Sequence, residues 1–214
     1  MQQLQNGLPQ TSESKIYAPR AVVVIGASTG GPAALTQILP KFPKNFQASI
    51  IVVQQMRPGF TKVLAHHLNG ISDLNIEESF NYQPVSTGAA HITPGNCTVT
   101  FEKTTDLQEQ QFLMQIVDAS DSMEKMRNRI NAAMISAAEM FGPRAIGILL
   151  TGVGDDGRDG MKEIKNHGGK TIAQDEASST VFDMPRYAID ANVVDEVLPL
   201  WNISDRVIEI VGDR

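Results

Sequence analysis

The sequence predicts an α/β fold: a doubly wound, mostly parallel sheet with helices on both faces and a small antiparallel hairpin portion. From Ala21 onward, short apolar runs alternate with helical patterns, as in βαβ crossovers. The run Ala145–Leu150 is almost continuously apolar, which is typical of a strand buried on both faces of a parallel sheet. The turn Pro94-Gly95-Asn96 lies between two strand-like runs and indicates the antiparallel portion.

The first part of the domain is predicted to contain two strand–helix pairs and one further strand. Apolar residues at three- and four-residue spacing predict the helices, and Val63, Leu64 and Leu68 are expected to face inward. The predicted elements are strand Val22–Ala27, helix Gly31–Phe42, strand Ala48–Val53, helix Phe60–Leu68 and short strand Asn75–Ser79.

The middle of the chain is predicted to form the antiparallel portion and then one long helix. The antiparallel strands are expected at Ala89–Thr93, Cys97–Lys103 and Gln111–Asp118. The helix is expected over Ser122–Phe141, where Met residues recur at helical spacing and indicate a core face. The remaining predicted elements are strand Ala145–Leu150, helix Gly157–His167, strand Thr171–Ala173, helix Pro185–Ala191, strand Val193–Leu198 and helix Ser204–Val211.

Length and composition favour one globular domain. The chain has 214 residues, of which 42% are hydrophobic, and this suits a single core over residues 20–214, preceded by a polar disordered tail or linker remnant at residues 1–19. A net charge of −6 argues against nucleic-acid binding. No apolar run approaches the ~20 residues of a membrane span. The single cysteine, Cys97, excludes an intrachain disulfide and suits a reducing cytoplasm.

A serine motif follows the first predicted strand. Gly26-Ala27-Ser28-Thr29-Gly30 has the pattern G-x-S-x-G between a strand and a helix, the arrangement of a nucleophile elbow. It therefore suggests acyl transfer at Ser28. A phosphate cradle is the alternative, but Ser28 stands where a dinucleotide-binding loop has its second glycine, and no Walker lysine follows.

Two further loops follow predicted parallel strands and are expected to meet Ser28 at one edge of the sheet. They are residues 54–59 and residues 151–157. In the second loop, Asp155 and Asp156 fit a cap for the following helix. They also resemble part of a metal loop, but no further oxygen ligands stand at suitable spacing, so no metal is expected. A general base is not apparent, because His66, His67, His91 and His167 all lie outside these loops.

Four motifs, in order along the chain, resemble the catalytic domain of the chemotaxis protein-glutamate methylesterase, CheB. They are residues 24–31, 53–61, 148–157 and 172–186. The resemblance implies a doubly wound α/β domain that hydrolyses γ-glutamyl methyl esters, and deamidates glutamine, on the cytoplasmic helices of chemoreceptors. It implies no cofactor and a cytoplasmic location. Other chemosensory proteins are alternative partners.

The resemblance also implies roles for particular residues. Ser28 matches the nucleophile, and Asp156 matches the carboxylate that orients the catalytic histidine. The backbone N–H groups of Thr29 and Val153 match the oxyanion hole, although the family usually has methionine where Val153 stands. A backbone donor tolerates that difference.

The departures from the family pattern bear on catalysis. Gln55 stands where the family has its catalytic histidine, and a neutral amide cannot serve as a general base. A second family histidine and the Arg-Pro-Ser-Val-Asp that follows it correspond to residues 126–131, where only Arg127 matches. Two hypotheses result: a hydrolase with weak or rerouted base chemistry, or a non-catalytic binding module. The family's receiver domain is not expected in the roughly twenty residues before the first strand, so phosphorylation control within this chain is not expected.

Overall fold

The computed structural model describes residues 19–104 and 111–213. Its strands are β1 (Ala21–Ala27), β2 (Ala48–Gln54), β3 (Asn75–Glu78), β4 (Gln83–Pro84), β5 (Ala89–Ile92), β6 (Cys97–Lys103), β7 (Phe112–Asp118), β8 (Ala145–Leu149), β9 (Lys170–Gln174) and β10 (Glu196–Leu198). Its helices are α1 (Gly31–Ile38), α2 (Phe60–Asn69), α3 (Met123–Arg127), α4 (Arg129–Phe141), α5 (Arg158–Asn166), α6 (Asp183–Asp190) and α7 (Leu200–Gly212). Short 3₁₀ turns follow α1 at Leu39–Lys41 and α4 at Gly142–Arg144.

The main sheet has seven strands in the order β10-β9-β8-β1-β2-β5-β3, and all of its neighbours pair in parallel. A separate antiparallel sheet has the order β4-β7-β6. The predicted fold class is therefore confirmed. From β1 the chain moves to β2 on one side, whereas β8 leads to β9 on the other side. The carboxyl ends of β1 and β8 thus form a topological switch point, where ligands bind in sheets of this type.

Hydrophobic layers cover both faces of the sheet. Strand β1 is buried along its whole length, and its residues alternate between the layers: Val23 and Ile25 belong to one cluster, Val22 and Val24 to the other. Helices α1, α2 and α7 supply the first layer, and α4, α5 and α6 supply the second together with the antiparallel sheet. A strand buried on both faces has no polar positions to alternate, which explains the continuous apolar run.

The prediction that Ala89–Thr93 belongs to the antiparallel portion is wrong. Strand β5 (Ala89–Ile92) lies between β2 and β3 in the main sheet and is parallel to both. The turn after it does reverse the chain, but among the described strands the next one, β6, pairs with β7 and not with the main sheet. The turn motif therefore indicated that the chain reverses. It could not show that the chain also passes from the main sheet to the antiparallel sheet at this point.

The single helix predicted over Ser122–Phe141 is also wrong. Asn128 has φ −115° and ψ 24° and separates α3 from α4. Its side-chain Nδ2 donates to the Glu124 carbonyl at 3.0 Å, a local bond of the kind that competes with continued helix. Helix α3 buries no residue, and Met123 is 69% exposed, so the core face predicted for this segment begins only in α4.

Helix α2 lies where an amphipathic helix was predicted, but one of the residues predicted to face inward is exposed. Leu64 and Leu68 are buried as expected, together with Thr61 and Ala65. Val63 is 67% exposed, so its predicted inward orientation is wrong. The buried stripe runs at i, i+3, i+4 and i+7 from Thr61, and Val63 lies off it.

The predicted tail at residues 1–19 lies outside the described residues except for Pro19, whose carbonyl accepts a bond from Arg144. Across residues 19–104 and 111–213, the helices are too short or too polar to cross a bilayer.

A buried histidine is expected to control the acid stability of the domain. His91 is 1% exposed, and neither of its ring nitrogens has a hydrogen-bond partner among the described residues. Burial lowers the pKa of His91 from 6.5 to about 4. The unfolded chain therefore takes up a proton first, and this group costs no stability above pH 6.5 but an increasing amount as the pH falls to 4.

For wild type, this shift corresponds to a loss of about 3 kcal/mol at pH 4. His91→Leu removes the titrating group, so we expect its free energy of unfolding to fall less between pH 7 and pH 4. Urea unfolding of both proteins across this range measures the difference. Parallel pH profiles for the two proteins would contradict the assignment.

Candidate functional site at the switch point

Ser28 lies in a tight turn between β1 and α1. Its backbone N–H donates to the Thr151 carbonyl at 3.1 Å, and its carbonyl accepts from Gly31 N at 2.9 Å. Gly30 has φ 85°, a left-handed conformation that favours glycine. A side chain at Gly30 would also meet Thr180 Oγ1 at 2.6 Å. The turn is thus held between the loop that follows β8 and the start of α1.

Gln54, at the end of β2, joins the first two loops of the site. It is buried, and its Nε2 donates to the carbonyls of Ser28 at 2.9 Å and Gln55 at 3.1 Å. Its Oε1 has no partner among the described residues and lies against Gly31, where a Cβ would come within 1.9 Å of it. Gln54 is an amide at the end of an apolar strand, and this is the sequence signal that could have indicated its role.

Gly31→Ala is expected to destabilise the elbow. The new Cβ would meet Gln54 Oε1 at 1.9 Å and Ala27 Cβ at 2.9 Å, so Gln54 must move and release the Ser28 carbonyl. Overpacking of this kind costs about 1–3 kcal/mol. Urea unfolding measures the loss, with Gly212→Ala as the control because nothing lies within 4 Å of a Cβ there. Equal stability of the two variants would show that the site adapts to the methyl group.

Gln55 and Asp156 are in direct contact. Gln55 Nε2 donates to Asp156 Oδ2 at 2.7 Å, and Gln55 N donates to the Ala27 carbonyl at 2.8 Å. Asp156 is buried, whereas Gln55 is half-buried. Through this pair the structure brings together the predicted loops at residues 54–59 and 151–157. The backbone bond of Gln55 also joins it to β1, the strand that leads into Ser28.

Asp156 also caps a helix from another part of the chain. Its Oδ2 accepts from Ile130 N at 3.0 Å and its Oδ1 accepts from Asn131 N at 2.9 Å. These donors belong to the first turn of α4, whose own preceding residue, Asn128, makes no side-chain cap. A carboxylate at this position satisfies orphan N–H groups and complements the helix dipole.

A side chain of α4 in turn caps α5. Asn131 Oδ1 accepts from Gly157 N and Gly160 N, both at 2.9 Å, so an α4 side chain caps α5. The expectation that Asp155 and Asp156 cap the helix that follows them is therefore wrong for the Asp156 side chain, which caps α4. Sequence gave no sign of this exchange, since the partners are 25 or more positions apart.

Burial and hydrogen bonding act in opposite directions on Asp156. Burial raises the pKa of Asp156 above its usual value, while the N–H groups of Asn131 and Ile130, the Gln55 amide and the charge of Arg129 oppose the rise. The net direction is upward. No histidine contributes to this balance, since His91 is buried in β5 and His66, His67 and His167 are exposed on or beside helices.

A cleft of about 260 Å³ opens beside the Gln55–Asp156 pair; it is lined by Gln55, Met126, Arg127, Val153, Gly154, Asp155 and Asp156. Gly152 connects this wall to Ser28, because a Cβ at Gly152 would lie 2.7 Å from Ser28 Cβ. Within the described residues, the Ser28 hydroxyl and the N–H groups of Thr29 and Val153 have no hydrogen-bond partners. Ser28 is thus not hydrogen-bonded to Gln55, and these groups are free to meet a ligand.

The described residues contain no group of three or more His, Cys, Asp or Glu side chains that could hold a metal ion. Cys97 is half-buried at the start of β6, and burial raises the pKa of its thiol. A raised pKa reduces the thiolate fraction and makes a nucleophilic role unfavourable.

A serine in a strand-to-helix turn, at the switch point of a doubly wound parallel sheet, is an arrangement typical of α/β hydrolases. Residues 23–207 match the family model described as CheB methylesterase. The chain belongs to the CheB methylesterase family. It is similar to the crystal structure of the Thermotoga maritima CheB methylesterase catalytic domain, with a TM-score of 0.84 and 36% identity over 91% of this chain and 100% of that one.

Longer relatives give the same assignment. A protein-glutamate methylesterase/protein-glutamine glutaminase of Pyrococcus abyssi is 40% identical over 192 residues, which are 90% of this chain and 51% of that protein. One from Thermotoga maritima is 38% identical over 206 residues, covering 95% of this chain and 58% of the relative. The chain spans little more than half the length of these relatives.

Proposed function

We propose that this domain binds glutamyl side chains of chemoreceptor cytoplasmic helices, as a CheB-type methylesterase domain does, and that its ester hydrolysis is weak or absent. Membership of the family supports the substrate class, because the relatives are named protein-glutamate methylesterase/protein-glutamine glutaminase. The receptor segment is cytoplasmic, so the domain acts in the cytoplasm.

The elbow and cleft support binding of an acyl group near Ser28. A glutamyl carbonyl beside the free Ser28 hydroxyl could accept bonds from the Thr29 and Val153 N–H groups, as in an oxyanion hole. The cleft wall carries both an exposed arginine, Arg127, and acidic groups, so it presents polar groups for a charged helix surface. These features are compatible with both hypotheses, the hydrolase and the binding module.

The Gln55–Asp156 contact carries the proposal of weak turnover. A serine hydroxyl reacts when a base removes its proton, and a histidine held by a carboxylate usually does so. Here the carboxylate holds the Gln55 amide at 2.7 Å, and an amide cannot take up that proton near neutral pH. This observation favours the second hypothesis, a binding module in chemosensory signalling.

Methanol release and binding, measured together, separate the two hypotheses. The substrate is a methylated chemoreceptor cytoplasmic fragment, and the proteins are wild type and Ser28→Ala. We expect both proteins to bind the fragment and release methanol at nearly the same low rate. Release by wild type well above the Ser28→Ala background would instead support the hydrolase hypothesis. Failure of wild type to bind either the methylated or the unmethylated fragment would overturn the proposed substrate class.

A further inference from the structure

Arg129 is a buried cation beside the site. It is the first residue of α4, is 2% exposed and is the largest of the fully buried side chains. Its Nη1 donates to the carbonyls of Gly95 at 2.6 Å and Cys97 at 3.3 Å, and reaches the Pro94 carbonyl at 3.5 Å. Its Nε is buried without a partner among the described residues. No carboxylate within the described ranges forms an ion pair with it within 4.0 Å.

The turn that Arg129 holds lies directly against the loop that carries Gln55. A Cβ at Gly95 would be 2.6 Å from the Met56 carbonyl oxygen and 2.8 Å from that of Arg57, so the two backbones touch. Gly95 N also donates to Thr61 Oγ1 in α2 at 3.1 Å. Displacement of this turn would therefore displace the backbone that immediately follows Gln55.

The same residue borders Asp156 on the other side of the site. Ile130 and Asn131, the next two residues of α4, donate their N–H groups to the Asp156 carboxylate. The Arg129 and Asp156 charges attract each other through space, and this attraction opposes the effect of burial on the pKa of both groups. Since Gln55 is neutral, Arg129 is the cation acting on this carboxylate among the described groups.

We propose that Arg129 is a positioning residue of this site: it braces the Pro94–Cys97 turn against the Gln55 loop and places a buried positive charge at the start of α4, next to the two N–H groups that hold Asp156. This inference depends on the proposed function only in treating the Gln55–Asp156 pair as part of the binding site.

The chemistry of arginine suits this role. A buried cation is costly unless hydrogen bonds and a nearby opposite charge compensate it. The planar guanidinium stays protonated, and its Nη1 donates to carbonyls of one turn. Lysine keeps the charge but offers a compact ammonium in place of the planar fork. Methionine keeps an unbranched stem and removes the charge. Comparing Arg129→Lys with Arg129→Met therefore separates the effect of the charge from that of the stem.

The test is a carboxyl ¹³C NMR titration of Asp156 in wild type, Arg129→Lys and Arg129→Met, with circular dichroism to verify folding. The Arg129 charge opposes the rise in the pKa of Asp156. We therefore expect Arg129→Met to move the Asp156 titration to higher pH and Arg129→Lys to move it less.

An Asp156 titration that is unchanged in folded Arg129→Met would overturn the charge role. If Arg129→Met does not fold in buffer, osmolyte-supported urea titrations of this variant, with and without Asp156→Asn, replace the NMR test. Arg129→Met should then raise the unfolding constant at least about tenfold less in the Asp156→Asn background than in the background that keeps Asp156. Equal increases in the two backgrounds would overturn the proposal. None of these readouts uses substrate, so a failure of the proposed function would appear separately, in the receptor-binding assay.

Discussion

Gln55→His is expected to raise methanol release from methylated receptor by about 10²–10⁴-fold, the usual contribution of a general base. The side chain at position 55 already faces Asp156 Oδ2, with 2.7 Å between the two polar atoms. An imidazole there can donate one N–H to this carboxylate and leave its other nitrogen for the Ser28 proton. The buried carboxylate would stabilise the imidazolium formed during transfer.

The matched control is Gln55→His combined with Ser28→Ala, which keeps the new base and removes the hydroxyl. This double variant should return to the wild-type background. Gln55→Asn is a second control, since it changes the side chain without adding a base. If Gln55→His folds, binds receptor and releases no additional methanol, the prediction is wrong, and the altered residues 126–131 have then removed substrate positioning as well.

Asp156→Ala is expected to cost about 3 kcal/mol of stability, whether or not the domain hydrolyses anything. The substitution removes the acceptor for two buried N–H groups of α4 and for the Gln55 amide. Buried donors left without a partner carry their full desolvation penalty. Urea unfolding at neutral pH measures the change in the free energy of unfolding.

Asp155→Ala is the control, because Asp155 is exposed and its ion pair with Arg158 is 3.4 Å long at the surface; such pairs contribute little. The pKa of Asp156 is raised in the fold, so its contribution to stability is greatest below the unfolded value and declines as the pH rises through the folded value. The cost of Asp156→Ala should shrink in the same direction. Equal stability of the Asp155 and Asp156 variants would refute the capping role.

Much of the fold was predictable because local patterns and burial agree. Strand β1 and strand β8 are apolar on both faces, and their ends coincide with glycine-containing loops, so the parallel sheet and the position of the candidate site follow from sequence. The errors arose where the decisive partner is distant in sequence. Pairing of β5 with β2 and β3 is one case, and the break at Asn128 inside an otherwise periodic helical pattern is another.

The site was predictable where a residue lies in a recognisable motif. The Gln55–Asp156 contact and the separation of the four histidines from the cleft agree with the expected geometry, while the catalytic roles stay predictions. Arg129 and Asn131 were noted only as departures from a family pattern. Their contacts reach residues 25 to 35 positions away, and nothing in local sequence indicates such partners.

The exchanged caps between α4 and α5 affect how a residue that matches a catalytic triad should be interpreted. Asp156 caps α4 while Asn131 caps α5, so the carboxylate that matches a triad member also has a structural role. The aspartate at position 156 of this chain is therefore weak evidence for turnover by itself. Position 55 is the informative one, because its side chain contacts Asp156 but caps neither helix.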